Sequence, residues 1–224
     1  MKSDRFFYSA TGALFIVMMA TGFHRFITSA SGLNGRAIDP QMFLIDAVHG
    51  TAIAAWYILF FVQSLLISVR NRRLHMKLGW SVLAIGPTIA ITGSLVAIRS
   101  VQVTEPGFRF FGMEYNRFLL VMLAEIALYT AFVTVGVLVR KRPKIHRPMM
   151  LMASFALLSG ATARMPFLWP LFGHAGWTGL FGPAFLLGAA LLLLRLAMAG
   201  TVDRSWTHVL SENNAGLGVY YNPT

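Results

Sequence analysis

Residues 47–80 read AVHGTAIAAWYILFFVQSLLISVRNRRLHMKLGW, and the fold turns on them. From Ala47 to Val69 the chain carries no Lys, Arg, Asp or Glu. At about 1.5 Å per residue such a helix crosses the roughly 30 Å hydrocarbon core of a bilayer, which takes about 20 apolar residues. A basic turn, RNRR, ends the run abruptly, and a second apolar run opens at Met76, directly after His75. The stretch predicts a spanning helix, a charged turn and a returning helix, with a histidine where the turn meets the membrane.

The layout recurs as RKRPKIHRPMM, residues 140–150, which makes His75 and His146 equivalent positions of two similar units. Further apolar runs occupy 118–139 and 177–194, the last prolonged past Arg195 to Ala199. Of the 224 residues, 56% are hydrophobic and only 12% charged, and the mean hydropathy is +0.64. A soluble domain carries about twice that share of charge. This is the composition of an integral membrane protein. The net charge of +11 comes from basic residues beside apolar spans, a pattern that membrane topology produces without any nucleic-acid partner. With no cysteine in the chain, disulfides, thiol chemistry and cysteine-ligated metals are excluded.

The expected fold is an all-α membrane protein, a six-transmembrane-helix bundle with helices at 6–26, 44–69, 75–99, 117–140, 148–169 and 177–199. Helix pairs 2-3 and 4-5 form a weak repeat. Residues 1–199 make the transmembrane domain and 200–224 a cytoplasmic tail. The run 6–23 follows Lys2 and Arg5, and Thr28-Ser29-Ala30 resembles a cleavage site, but the run is long for a signal peptide and reads as a retained first helix. Lys and Arg concentrate in the two short turns, as Arg70, Arg72, Arg73 and Lys77, and as Arg140, Lys141, Arg142, Lys144 and Arg147. By the positive-inside rule both turns, and hence both termini, are cytoplasmic. The loops near 27–43 and 100–116 then lie outside, where they are placed to cap the bundle. Pro166 and Pro170 interrupt the end of the fifth helix.

Two groups of residues are candidates for chemistry. His75 and His146 share a depth near the cytoplasmic surface, and bis-histidine ligation of haem b needs two histidines on different helices at one depth. The alternative is that both only mark the headgroup level. The second group is His49, Glu125 and Arg164. Glu125 lies about 10 Å inside the fourth span, and Arg164 about 6 Å below the outer boundary of the core, counted from the cytoplasmic start of the fifth helix. Buried charges pair or line a cavity, so a Glu125–Arg164 ion pair is the first expectation, with His49 beside it completing a polar pocket for a headgroup, a quinone or an anion. His24 closes the first span as an interfacial residue, and Gln63 hydrogen-bonds within the bundle. Met149, Met150 and Met152 read as packing residues. No phosphate-binding loop, HExxH or Ser-His-Asp arrangement is present, and no catalytic residue is assigned.

Several of these stretches carry a resemblance. RFFY (5–8), VHGTAIAAWYILFFVQSLL (48–66), RRLHMKLG (72–79), LAEIALYTAF (123–132), RKRPKIHRPMML (140–151) and GATARMPF (160–167) resemble a family of uncharacterised bacterial six-helix integral membrane proteins. That likeness implies a fold and a bacterial inner-membrane location. More locally, His49-Gly50 and Leu74-His75-Met76-Lys77-Leu78-Gly79 resemble the ascorbate-reducible two-haem transmembrane cytochrome b family. By that likeness His75 and His146 would hold one haem, and His49 would belong to a second. The fourth helix of that family carries the partner histidine, whereas this one carries Glu125, so at most one haem is implied.

Three functions follow. The first is a b-type haem or quinone-linked electron-transfer protein. The second is a non-redox lipid- or anion-binding protein or transporter using His49, Glu125 and Arg164. The third is an accessory subunit, in a larger membrane complex or homo-oligomer, with no cavity of its own.

Overall fold

The computed structural model describes residues 2–29 and 40–217. Most of the expected 27–43 loop, Ala30 of the cleavage-like site and residues 218–224 lie outside the described residues. In chain order the elements are α1 (Lys2–Ser29), α2 (Pro40–Ser68), α3 (Arg72–Leu78), α4 (Val82–Val103), strands β1 (Arg109–Phe110) and β2 (Met113–Glu114), α5 (Phe118–Leu138), α6 (Pro143–Ala156), α7 (Leu158–Thr162), α8 (Trp169–Phe172) and α9 (Gly176–Leu217). A 3-10 turn, Gly79–Ser81, joins α3 to α4 into one long segment.

The chain is a multi-pass helical bundle. Among the described residues five helices are long and apolar enough to cross a membrane, and a sixth if α6 through α8 is taken as one broken span. The expected fifth helix, 148–169, differs from the observed one. Helix begins earlier, at Pro143, whose missing N–H suits a first turn. It is interrupted at Leu157 and ends at Thr162; past Met165 the chain turns by 83° into the 166–172 segment. Pro166 and Pro170 stand at the starts of the two short helical turns there, where a proline is tolerated but a continuous helix is not. Similarly, α9 continues past Ala199 to Leu217, into the stretch expected as a tail, because no proline stands between Pro183 and Pro223. Residues up to Phe185 form one compact unit, and the rest of α9 a second.

The two basic turns define one face of the first unit. Arg70, at φ 64°, breaks α2 in the left-handed region, and the Asn71 side chain caps α3 by accepting from Leu74 N at 3.1 Å. The opposite face carries the hairpin. Its two-residue loop, Phe111 and Gly112 at φ 47° and 79°, has the left-handed pair that tight hairpins need. Phe110, Phe111, Phe118, Ala163 and Leu180 form a buried cluster there, and Trp169 stacks on Phe111 at 5.1 Å. The 100–116 loop is thereby packed onto the bent end of the sixth candidate span.

Between the faces, α1 packs on α2 and α7, α2 on α4, and α4 on α5, which packs on α6. Small residues allow the close approaches expected where lipid offers no competing hydrophobic drive. Gly22 of α1 meets the backbone of Ala161 on α7, and Gly136 of α5 leaves room for Met149 and Met150 of α6. Met149 and Met150 thus pack as the sequence implies, whereas Met152 is exposed. Trp56, Tyr57, Ile89, Tyr129 and Ser154 are at most 1% exposed and close the middle of the bundle.

Candidate functional site

A cavity of about 380 Å³ opens toward the hairpin face, between the ends of α1, α2, α4, α5 and α7. Its polar lining includes Asp46, His49, Glu125, Ser159 and Arg164; Ile53, Met122 and Ile126 are among its apolar walls. The three side chains expected to share a pocket therefore do share one. His24 is exposed, its Nδ1 donating to Thr21 O at 2.8 Å, and it does not line the cavity.

Each polar group is held by a specific neighbour. Thr92 donates its hydroxyl proton to Thr88 O at 2.6 Å, so its oxygen can only accept from His49 Nδ1, 3.0 Å away. That bond fixes the ring and leaves Nε2 as the remaining nitrogen. Gly93, next to Thr92, is required for the approach: a Cβ there would lie 2.9 Å from His49 Cε1. Glu125 accepts a short hydrogen bond from the Ser159 hydroxyl.

The expected Glu125–Arg164 ion pair does not form. A salt bridge joins Arg117 to Glu114, at 4.0 Å, and none joins Glu125 to Arg164. The depth estimate assumed an unbroken fifth helix, but the helix ends at Thr162 and Arg164 lies beyond it. Its guanidinium donates to Gly160 O at 2.6 Å and stands 4.7 Å over the Phe23 ring. Arg164 is exposed and opens into the cavity. Asp46 is close enough to interact with it electrostatically, without an ion-pair contact. Asp46 was not singled out from sequence, although its place three residues before His49 puts both on one helix face. Ser159 and Thr92, one hydroxyl among many on apolar helices, gave no signal.

A second cavity, of about 110 Å³, lies toward the basic face and is lined by His75 and His146 together with Trp56, Gln63, Trp80 and Met150. Each histidine clasps its own turn. His75 Nδ1 donates to Gln63 O at 3.2 Å and His146 Nδ1 to Gly136 O at 2.8 Å. A carbonyl only accepts, so Nδ1 carries the proton in both rings and Nε2 is left over. Gln63, expected to bond within the bundle, has both side-chain polar atoms buried without a partner. Arg140 covers the Trp80 ring at 5.6 Å. No group of three or more His, Asp or Glu residues placed to hold a metal ion occurs among the described residues.

No family model matches the chain, and no curated protein or solved structure matches it significantly.

Proposed function

We propose that this is a six-span protein of the bacterial inner membrane, both termini cytoplasmic, whose outer-leaflet cavity binds a small amphiphile through His49, Glu125 and Arg164. The observation that carries this reading is the convergence of these three groups on one cavity without an ion pair among them. A guanidinium at membrane depth is costly, and such groups face partners or water-filled cavities. A volume of 380 Å³ falls within the roughly 300–1,000 Å³ of small-molecule sites. The ligand chemistry implied is an acceptor oxygen for Arg164 and a hydroxyl for His49 Nε2 or Glu125, with an apolar body for Ile53, Met122 and Ile126. A quinone or quinol and an acidic lipid headgroup both offer such oxygens.

The test is titration of the purified chain with a short-chain quinol and, separately, a short-chain phosphatidic acid. Saturable binding of either, lost in Arg164→Ala at an unchanged unfolding midpoint, supports the reading and identifies the source. Absence of saturable binding of both overturns it. The accessory-subunit reading expected a bundle without a cavity, and the cavity favours binding over it.

The inner cavity supports a second reading, a b-type haem held by His75 and His146. Two imidazoles from different helices line one cavity, each with Nδ1 committed to a carbonyl, the arrangement that orients ligating histidines. The donor set fits. When bound, haem would supply one-electron transfer. A reduced-minus-oxidised spectrum with haem quantified per chain decides it: a sharp α-band at one haem per chain supports ligation, and a flat spectrum from folded protein expressed with added haem removes it.

A further inference from the structure

Only three buried side-chain polar atoms lack a hydrogen-bond partner among the described residues, and they fall in one region. They are Tyr129 Oη, Gln63 Nε2 and Gln63 Oε1. Buried polar groups are paired in nearly all folded proteins, and an orphan costs the full desolvation of the group. Three orphans between and beside two cavities call for a common cause.

Tyr129 lies one helical turn from Glu125 on α5, so its backbone starts at the floor of the larger cavity. Its ring packs edge-on against Trp56 at 5.0 Å, and Trp56 lines the smaller cavity. Its hydroxyl reaches toward Gly86 on α4, where a Cβ would lie 4.0 Å from it. Gly86 is one turn from Val82 and Leu83, which also line the smaller cavity. Tyr129 therefore bridges the closed middle of the bundle, from beside Glu125 toward the cavity that holds Gln63, His75 and His146. The other two hydroxyls in this plug are not available, because Tyr57 donates to Ser154 O at 3.1 Å and Ser154 to Met150 O at 3.1 Å. Trp56 Nε1 is likewise committed to Ser154 Oγ at 3.1 Å.

We infer that the bundle passes protons between the two cavities by way of Glu125 and Tyr129, and this goes beyond the binding reading and does not depend on it. Buried waters satisfy orphaned polar groups; Glu125 lines the larger cavity and Gln63 the smaller, and Tyr129, which lines neither, stands between them. A proton from water at the hairpin face joins the Glu125 carboxylate, which already accepts from Ser159 and stands in the same cavity as Asp46, His49 and the Arg164 cation. Through water it reaches the Tyr129 hydroxyl, which passes its own proton on to water in the smaller cavity. Gln63 orients that water with both amide atoms. Nε2 of His75 or His146 accepts there and releases to water at the basic face, where Arg72, Arg140 and Arg147 are the neighbouring charges. One proton enters and one leaves, and only O–H and N–H bonds change. Nothing larger can follow, since Trp56, Tyr57, Tyr129 and Ser154 fill the plug.

The test uses the purified full chain in liposomes loaded with a pH-sensitive dye, with proton entry driven by a potassium diffusion potential. The wild type is expected to acidify the lumen faster than protein-free liposomes. Tyr129→Phe removes only the unpartnered hydroxyl, so it should fold normally and fall to the protein-free rate, as should Glu125→Gln. Leu120→Ala, on an exposed face of α5, should keep the wild-type rate. A wild-type rate equal to that of empty liposomes overturns the proposal, and so does Tyr129→Phe conducting as fast as wild type. Stoichiometric haem at His75 and His146 would fill the smaller cavity and overturn the water route as well.

Discussion

His49 and Thr92 are joined by a hydrogen bond whose direction is settled by a third residue: Thr88 O takes the threonine proton, so the imidazole must donate. The consequence is a histidine in the larger cavity with a fixed tautomer. Thr92→Val keeps the shape and removes the acceptor. It leaves Nδ1 unpaired at a cost of about 1–3 kcal/mol. We expect a lowered unfolding midpoint together with weakened ligand binding, and Thr92→Ser should restore both. Binding untouched by Thr92→Val would show that the tautomer of His49 has no part in recognition.

Gly93→Ala probes the same contact by volume. The added methyl would meet His49 Cε1 at 2.9 Å, and Ile126 stands close on the other side, at 3.2 Å. Overpacking of this kind costs about 1–3 kcal/mol. The imidazole has room to move only into the cavity, so the variant should bind ligand more weakly than its stability loss alone accounts for. Thermal unfolding and titration of the same preparation separate the two effects.

Much of this was legible in the sequence because membranes impose strict patterns. Uncharged runs such as 47–69 have one reading at their length, and the basic turns at 70–77 and 140–147 place their ends. Grouping His49, Glu125 and Arg164 needed only depth along helices, which rise uniformly. Pairing Glu125 with Arg164 failed because depth was carried through a helix that stops at Thr162. Pro166 marked that risk without fixing where the turn would fall. Ser159, which takes the place of the arginine at Glu125, is an ordinary small polar residue on a membrane helix, and nothing in its type or spacing distinguishes it. The histidine clasps were equally hidden, since a carbonyl acceptor leaves no mark on the sequence.

His146 can be tested for two roles at once. As a clasp it donates to Gly136 O, and an asparagine amide can make a similar bond; as a metal ligand it needs Nε2, which asparagine lacks. His146→Asn should therefore retain most of the stability that His146→Ala loses, about 1 kcal/mol for one hydrogen bond. If haem is bound, both variants should lose its α-band. A haem spectrum surviving in His146→Ala would exclude this residue as a ligand.

The plug in the middle of the bundle rests on Ser154, whose hydroxyl accepts from Trp56 Nε1 at 3.1 Å and itself donates to Met150 O, also at 3.1 Å, while its carbonyl accepts from Tyr57. Ser154→Ala leaves the carbonyl bond in place and orphans only the indole N–H, in a site where Trp56 is 1% exposed. The expected cost is about 1–3 kcal/mol, since a buried donor loses its partner. Ser154→Ala with Trp56→Phe removes donor and acceptor together. That double variant should recover part of the loss, less the cost of the smaller ring. Unfolding free energies of the wild type, the two single variants and the double variant form a closed cycle. A coupling energy near zero would mean that the indole bond contributes nothing to closing the plug, and that packing around Tyr57 and Tyr129 is sufficient.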